Sequence, residues 1–153
     1  MHKIDLTGLK TSEKLDTWAD VAEKVRPEAF EMDVVLKFVG TVAPELEELT
    51  LETVAPCGTA ACLTGTAGVA FRGLTVIPPE EDDPWCQRWG ARVRAENCGC
   101  LEDFFGVTYS EFFSLTEPSE YGPGDRDVQG KIPQSVAIGR VRALAESYRA
   151  RGE

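Results

Sequence analysis

The chain has 153 residues, of which 42% are hydrophobic, which is enough apolar material for one core and too little chain for two. This composition excludes a protein that is disordered throughout. Lysine and arginine number 16 against 26 for aspartate and glutamate, a net charge of −10 that argues against direct binding of nucleic acid or anionic lipid. We therefore expect a single acidic domain over residues 1–153, fraying at both termini.

No run of residues approaches the roughly eighteen apolar residues that a membrane span needs. The first seven residues also lack the apolar core of a signal peptide. We therefore expect a cytoplasmic protein that does not contact membranes.

The first helix is predicted over residues 12–26. Thr11 or Ser12 can cap it, Pro27 ends it, and its apolar face recurs at spacings of three and four: Leu15, Trp18, Ala19, Ala22, Val25. Residues 33–42 fit either a short strand or a buried helical turn, because their apolar positions do not alternate cleanly.

Almost every residue from 58 to 70 is small, which predicts a tightly packed central helix against which another backbone can lie closely. Residues 74–77 then form either a short strand or an extended connection. A further amphipathic helix is predicted from Pro84 to residue 95, capped by Asp82 or Asp83.

Short helices are predicted at residues 101–105 and 109–115, followed by a surface loop at 117–132 that is rich in proline and glycine. The last helix begins near Pro133 or Ser135 and has one apolar face: Ala137, Val141, Leu144, Ala145, Tyr148. The expected fold is mainly α, a single compact helical domain around the small-residue helix, with room for one or two short strands that would make it α+β.

Three segments resemble a family of small uncharacterised proteins encoded by phages and prophages, especially those of actinobacteria. Residues 57–67 are similar to its C-G-T-x-x-C-x-x-G-x-A signature, and residues 27–32 resemble its P-E-x-F-x-M element. Residues 101–113 resemble its L-L-G-L-T-x-x-x-x-x-L-F segment, with Phe105 and Val107 in place of leucines.

The chain departs from this pattern at residues 64–67, where family members often carry Ala-Gly-Trp-Ala or Ala-Gly-His-Ala. Any role of an aromatic residue there cannot be transferred. The resemblance implies no enzymatic activity, and it implies a phage-encoded accessory protein in the cytoplasm of the infected host.

The five cysteines are an odd number, which in a reducing compartment favours free thiols. The main interpretation of the signature is structural: Cys57 lies near a helix N-cap, Thr59 donates a local hydrogen bond, and Cys62 and Gly65 form a helix contact face. Gly58 belongs to the same small-residue pattern.

Two chemical alternatives exist for these cysteines. A cysteine nucleophile needs a base, and the single histidine is His2, near the terminus. A structural zinc site would use Cys57, Cys62, Cys98 and Cys100, although C-x4-C and C-x-C are unlike the pairs of zinc ribbons. A Cys57–Cys62 disulfide is a further possibility. We expect no cofactor, with zinc as the alternative.

Acidic residues are concentrated between residues 40 and 87, a segment that contains eight acids and a single base, Arg72. The densest run, at residues 80–83, fits a solvated turn and lacks the pattern of a calcium loop. Basic residues lie elsewhere: Arg88, Arg92, Arg94, Arg140, Arg142, Arg149.

These patterns together predict a non-enzymatic protein that binds a host protein, such as a defence or regulatory factor. A DNA-mimic inhibitor of a nucleic-acid-binding protein is a second alternative, after the zinc domain. The expected contact residues are the acidic run and two nearby tryptophans, since Trp is enriched at binding hot spots: Glu80, Glu81, Asp82, Asp83, Trp85, Trp89.

Overall fold

The computed structural model describes residues 3–32, 36–37, 60–77 and 92–153. These residues form five α-helices, α1 (Thr11–Glu23), α2 (Leu63–Ala70), α3 (Leu101–Phe105), α4 (Tyr109–Thr116) and α5 (Gln134–Ala150). Two antiparallel pairs join β1 (Leu36–Lys37) to β2 (Ala60–Ala61) and β3 (Leu74–Ile77) to β4 (Arg92–Ala95). The mostly helical fold with short strands confirms the expected class.

Helices α1 and α5 form the most extensive interface among the described elements. They run antiparallel, since Ser12 N–H donates to the Glu153 carbonyl at one end and the Gln134 amide donates to the Ala22 carbonyl at the other. The apolar face predicted for α5 is buried except at Leu144, which is partly buried.

Helix α1 is shorter than predicted and begins one residue earlier. Lys10 is the N-cap, and the Glu13 carboxylate accepts the Lys10 N–H at 2.8 Å, so Thr11 and Ser12 lie inside the first turn. The helix ends at Glu23, and the chain is extended at Arg26, the residue that Pro27 disfavours in the α region.

The small-residue helix is also shorter than the predicted 58–70. Residues 60 and 61 pair with β1 as a strand, and α2 begins after Cys62, which adopts an extended N-cap conformation. Seven of the eight residues of α2 are buried, as expected for a central packed helix. Residues 58 and 59 lie outside the described ranges.

The predicted helix from Pro84 to residue 95 is wrong for its last four residues, which form β4 and pair with β3 from Leu74↔Ala95 to Ile77↔Arg92. The sequence Arg-Val-Arg-Ala alternates polar and apolar residues, a period of two that favours a strand. The earlier part of this predicted helix, with Trp85 and Trp89, lies outside the described residues. The segment 33–42, predicted as a strand or a helical turn, also lies outside them except for the two residues of β1. Residues 74–77 are a strand.

The short helices α3 and α4 follow the predicted bounds to within one residue. Phe105 of α3 is buried and stacks on Trp18 with ring centroids 4.3 Å apart, and Phe112 of α4 stacks on the same Trp18 ring at 6.1 Å. Gly106 ends α3 at φ 79°, a left-handed conformation that glycine adopts without strain.

The loop at 117–132 contains two single 3-10 turns, at Pro118–Glu120 and Pro123–Asp125. Tyr121 is buried, and its hydroxyl donates to the Leu115 carbonyl at 2.6 Å. The segment is therefore tied to α4. None of the described helices combines the length and apolarity that crossing a membrane requires.

Candidate functional site

The structure describes residues 60–67 of the signature, and hydrogen bonds fix them at the start of α2. The Cys62 carbonyl accepts hydrogen bonds from the Thr66 hydroxyl at 2.7 Å and the Thr66 N–H at 2.9 Å, which fixes the first turn of α2. The Trp18 indole donates to the Leu63 carbonyl at 2.9 Å and joins this turn to α1. Gly65 is buried in the helix.

Burial also raises the pKa of the Cys62 thiol, which disfavours the thiolate that nucleophilic chemistry needs. Cys57, Gly58 and Thr59 lie outside the described residues, and their predicted roles stay predictions.

Two arginines of α5 are held by acids of α1. Arg142 donates to Asp20 at 2.9 Å and to Glu23 at 2.7 Å, and Arg149 pairs with Asp16 and Glu146. These side chains are about half exposed, so each pair contributes little to stability, but the pairs neutralise the positive charge of this face locally.

A third arginine of α5 is tied to the 117–132 loop. The Arg140 guanidinium lies 3.8 Å above the centre of the Tyr121 ring and 2.8 Å from the Asp125 carboxylate. It also donates to the carbonyls of Ser114 and Glu120. Thus three of the arginines that lie outside the acidic region of the sequence are paired with carboxylates of this chain.

The negative charge is divided very unevenly along the chain. The described ranges hold 17 acidic and 15 basic side chains, whereas the other residues hold nine acids and one base, Arg88. Eight of those nine acids fall in two segments that we call the acidic connections, residues 38–59 and 78–91. The excess of acid therefore belongs to these connections.

The attachment points of the acidic connections follow from the topology. One connection joins β1 to β2, which leads directly into the start of α2, and the other joins β3 to β4. Three residues separate the end of α2 from β3, and Val76 of β3 lies beside Gly68. The first connection therefore ends next to the N-terminal end of α2, and the second begins after Ile77, one residue beyond Val76. The six expected contact residues, 80–83 with Trp85 and Trp89, are all in the second one.

A cleft of about 370 Å³ lies elsewhere, between the N-terminal segment, α1, the turn before β3 and residues 97–104. Its wall includes Cys98, Lys14, Arg72 and Asp103. Sequence reasoning missed this cleft because its residues come from separate segments that no local spacing connects.

The two cysteines of the C-x-C pair differ in environment. The Cys98 thiol donates to the Cys100 carbonyl at 3.5 Å and lines the cleft. A backbone hydrogen bond at Asp103 favours the Cys100 thiolate, but the Asp103 carboxyl, burial and the Glu102 charge outweigh it and raise the pKa of Cys100 to about 11.

The alternative zinc site needs Cys62, which is buried in the core, and Cys57, which lies outside the described residues, as two of its ligands. Within the ranges that the structure covers, no group of three or more Cys, His, Asp or Glu side chains is arranged to hold a metal ion. Of the four proposed ligands, Cys98 and Cys100 are neighbours, whereas Cys62 is buried at the start of α2.

Comparison with known proteins found no family model, no curated protein and no solved structure that matches this chain.

Proposed function

We propose that this is a phage-encoded accessory protein that binds a host protein through the acidic connections, without catalysing a reaction. The observation that carries the proposal is the division of charge: the acidic connections hold eight acids and one base, whereas the described ranges are nearly balanced.

A concentrated negative charge has a definite physical effect on association. It raises the encounter rate with a basic surface, and it disfavours partners of like charge. The ion pairs of Arg140, Arg142 and Arg149 support this use, because an arginine paired with a carboxylate repels a basic partner less than an unpaired one would. The resemblance to phage proteins supplies the expectation that the partner belongs to the host.

The test begins with co-purification of the tagged protein from host lysate to obtain a stoichiometric partner. The association rate with that partner is then measured from about 50 to 500 mM salt, over which the screening length falls from above 10 Å toward about 4 Å. We expect the rate to fall steeply with salt.

A matched pair of variants locates the contact. Glu80→Lys/Glu81→Lys should slow association more than tenfold, the scale expected when electrostatic steering is lost. The control, Glu28→Lys/Glu120→Lys, makes the same change in net charge at two exposed positions outside the acidic connections and should have a smaller effect.

Equal slowing by the two variants would contradict the proposal, as would turnover of a small molecule with no stoichiometric partner. If Trp85→Ala abolishes binding while charge reversal does nothing, the contact is aromatic rather than electrostatic. If duplex DNA displaces this protein from its partner, the contacted surface of the partner is a nucleic-acid groove, which favours the DNA-mimic form of the proposal.

A further inference from the structure

The cleft beside Cys98 is large enough to hold a small molecule. Its volume of about 370 Å³ falls within the range of ligand pockets, and its lining is both polar and apolar. The floor includes Leu6, which is buried, and Phe104, which is partly buried.

Both signs of charge are present on its wall. The Lys14 ammonium donates to the Phe104 carbonyl at 3.2 Å, which leaves its other N–H groups for a ligand. Arg72 is 67% exposed and lies 3.8 Å from the Asp5 carboxylate, too far for a hydrogen bond. Asp103 is exposed on the same wall. Two cations and two anions suit a ligand that itself carries both charges.

The same cleft contains a thiol with a second thiol two residues away. Cys98 and Cys100 are both partly exposed, and the residue between them is Gly99. A Cβ placed on Gly99 would meet nothing within 4 Å, so no neighbouring group lies against the turn at this residue. Such a turn can change its backbone conformation to bring the two sulfurs together.

We propose that the cleft is a thiol-modification site, in which Cys98 exchanges with the disulfide of a small zwitterionic peptide thiol of the glutathione type and Cys100 resolves the adduct. The carboxylates of the peptide pair with Lys14 and Arg72, and its ammonium group pairs with Asp103. This site is independent of the acidic connections and of partner binding.

The exchange takes place in two balanced steps. Cys98 loses its proton and its sulfur attacks one sulfur of the peptide disulfide, whose S–S bond breaks; one peptide leaves and takes up a proton. Cys100 then loses its proton and displaces the second peptide from Cys98. The two protein thiols are oxidised to one disulfide, and the peptide disulfide is reduced to two thiols. Cys98 attacks first because it lines the cleft in which the peptide disulfide would bind, whereas Cys100 does not.

The experiment treats the reduced, full-length protein with glutathione disulfide and follows each cysteine by peptide mass spectrometry. In the unmodified sequence we expect a transient glutathione adduct on Cys98, followed by a Cys98–Cys100 disulfide. Cys100→Ser should accumulate the adduct on Cys98, and Cys98→Ser should form neither product at residue 100. An adduct that forms on Cys100 equally fast in Cys98→Ser would overturn the proposed order.

A second experiment tests whether the cleft recognises the charged disulfide, or whether Cys98 reacts with any disulfide because its thiol is accessible. Arg72→Met should slow the reaction with glutathione disulfide about fivefold, the effect of losing one close charge contact in water, and should leave the reaction with neutral hydroxyethyl disulfide unchanged. As a control, Lys24→Met removes one positive charge at a residue that does not line the cleft, and it should change neither rate. Equal rates for Arg72→Met and the unmodified protein with glutathione disulfide would overturn the role of the cleft.

Discussion

Gly68 shows how a single position controls the centre of this molecule. A Cβ at this position would lie 2.6 Å from a Val93 methyl group and 3.1 Å from a Val76 methyl group. Glycine therefore allows the β3–β4 pair to lie directly on α2. Because valine side chains are stiff about their first torsion, these methyl groups cannot easily move aside.

We expect Gly68→Ala to destabilise the fold by about 1–3 kcal/mol, since overpacking outweighs the roughly 1 kcal/mol that alanine gains in a helix. Urea unfolding measures the change in the free energy of unfolding. Adding Val93→Ala should restore part of the loss by making room for the new methyl group.

Gly139 provides the matched control, because it also lies inside a helix but a Cβ there would meet nothing within 4 Å. Gly139→Ala should stabilise the protein by up to about 1 kcal/mol. If both substitutions stabilise to the same extent, the close approach at Gly68 is not a constraint.

Cys62 is the second residue whose role is set by burial. Cys62→Ser should lower the free energy of unfolding by about 1–3 kcal/mol, because a hydroxyl replaces a weakly polar thiol in a buried position. Chemical denaturation provides the measurement. Cys100→Ser, at a partly exposed position, should stay within about 0.5 kcal/mol of the unmodified protein, and a larger loss there would contradict this assignment.

At the scale of the elements, side chains at helix ends join neighbouring helices. The Glu111 carboxylate accepts the Thr108 N–H at 2.9 Å, which caps α4, and the Tyr148 hydroxyl at 2.5 Å, which connects α4 to α5. Burial acts to raise the pKa of Glu111, but the hydrogen bonds from Tyr148 and Thr108 prevail and lower it below its ordinary value of 4.5.

This lowered pKa predicts an acid-dependent loss of stability. Because the folded-state pKa lies below the unfolded-state pKa, the contribution of Glu111 is complete above about pH 4.5 and is lost as the pH falls through the folded-state pKa. The unfolding free energies of the unmodified protein and Glu111→Gln should therefore converge as the pH is lowered from 6 toward about 3.

Thermal melts across this pH range provide the measurement. Tyr148→Phe should raise the pKa of Glu111, which can be followed by NMR titration of the carboxyl carbon. A constant difference between Glu111→Gln and the unmodified protein at all pH values would show that the carboxylate charge is not involved.

At the scale of the whole molecule, the core and the charge are separated along the chain. Buried apolar residues of α1, α2, α3, α4 and α5 form one cluster. The acid excess lies in the acidic connections, so charge reversal there should leave this cluster intact.

We expect the folded protein to need no metal. Protein purified without chelator should contain less than about 0.2 zinc per chain and should keep its melting temperature after chelation, since a closed zinc site contributes directly to folding. Stoichiometric zinc, together with a fall in melting temperature on chelation, would instead support the site of Cys57, Cys62, Cys98 and Cys100.

Helical spacing in the sequence was sufficient to predict α1 and α5, and α3 and α4 were also predicted to within one residue. Helices α1 and α5 have local signals, namely apolar residues at helical spacing and, after α1, Pro27. The two errors, at residues 60–61 and 92–95, both fall in strands: pairing overrides the small-residue pattern at 60–61, and the alternation at 92–95 is too short to stand out from the preceding apolar residues. Pairing depends on a partner distant in the chain, which a short window of sequence does not contain.

The sequence by itself determined the mainly helical class, the small-residue segment and the uneven charge, because each is a property of composition or local spacing. Only the tertiary structure decided that Cys62 lies at the start of α2, that the arginines of α5 pair with α1 and with the 117–132 loop, and that Lys14, Arg72 and Cys98 share a cleft. The physical reason is that these contacts join residues far apart in the chain, and they form only when packing of the apolar core has brought their elements together.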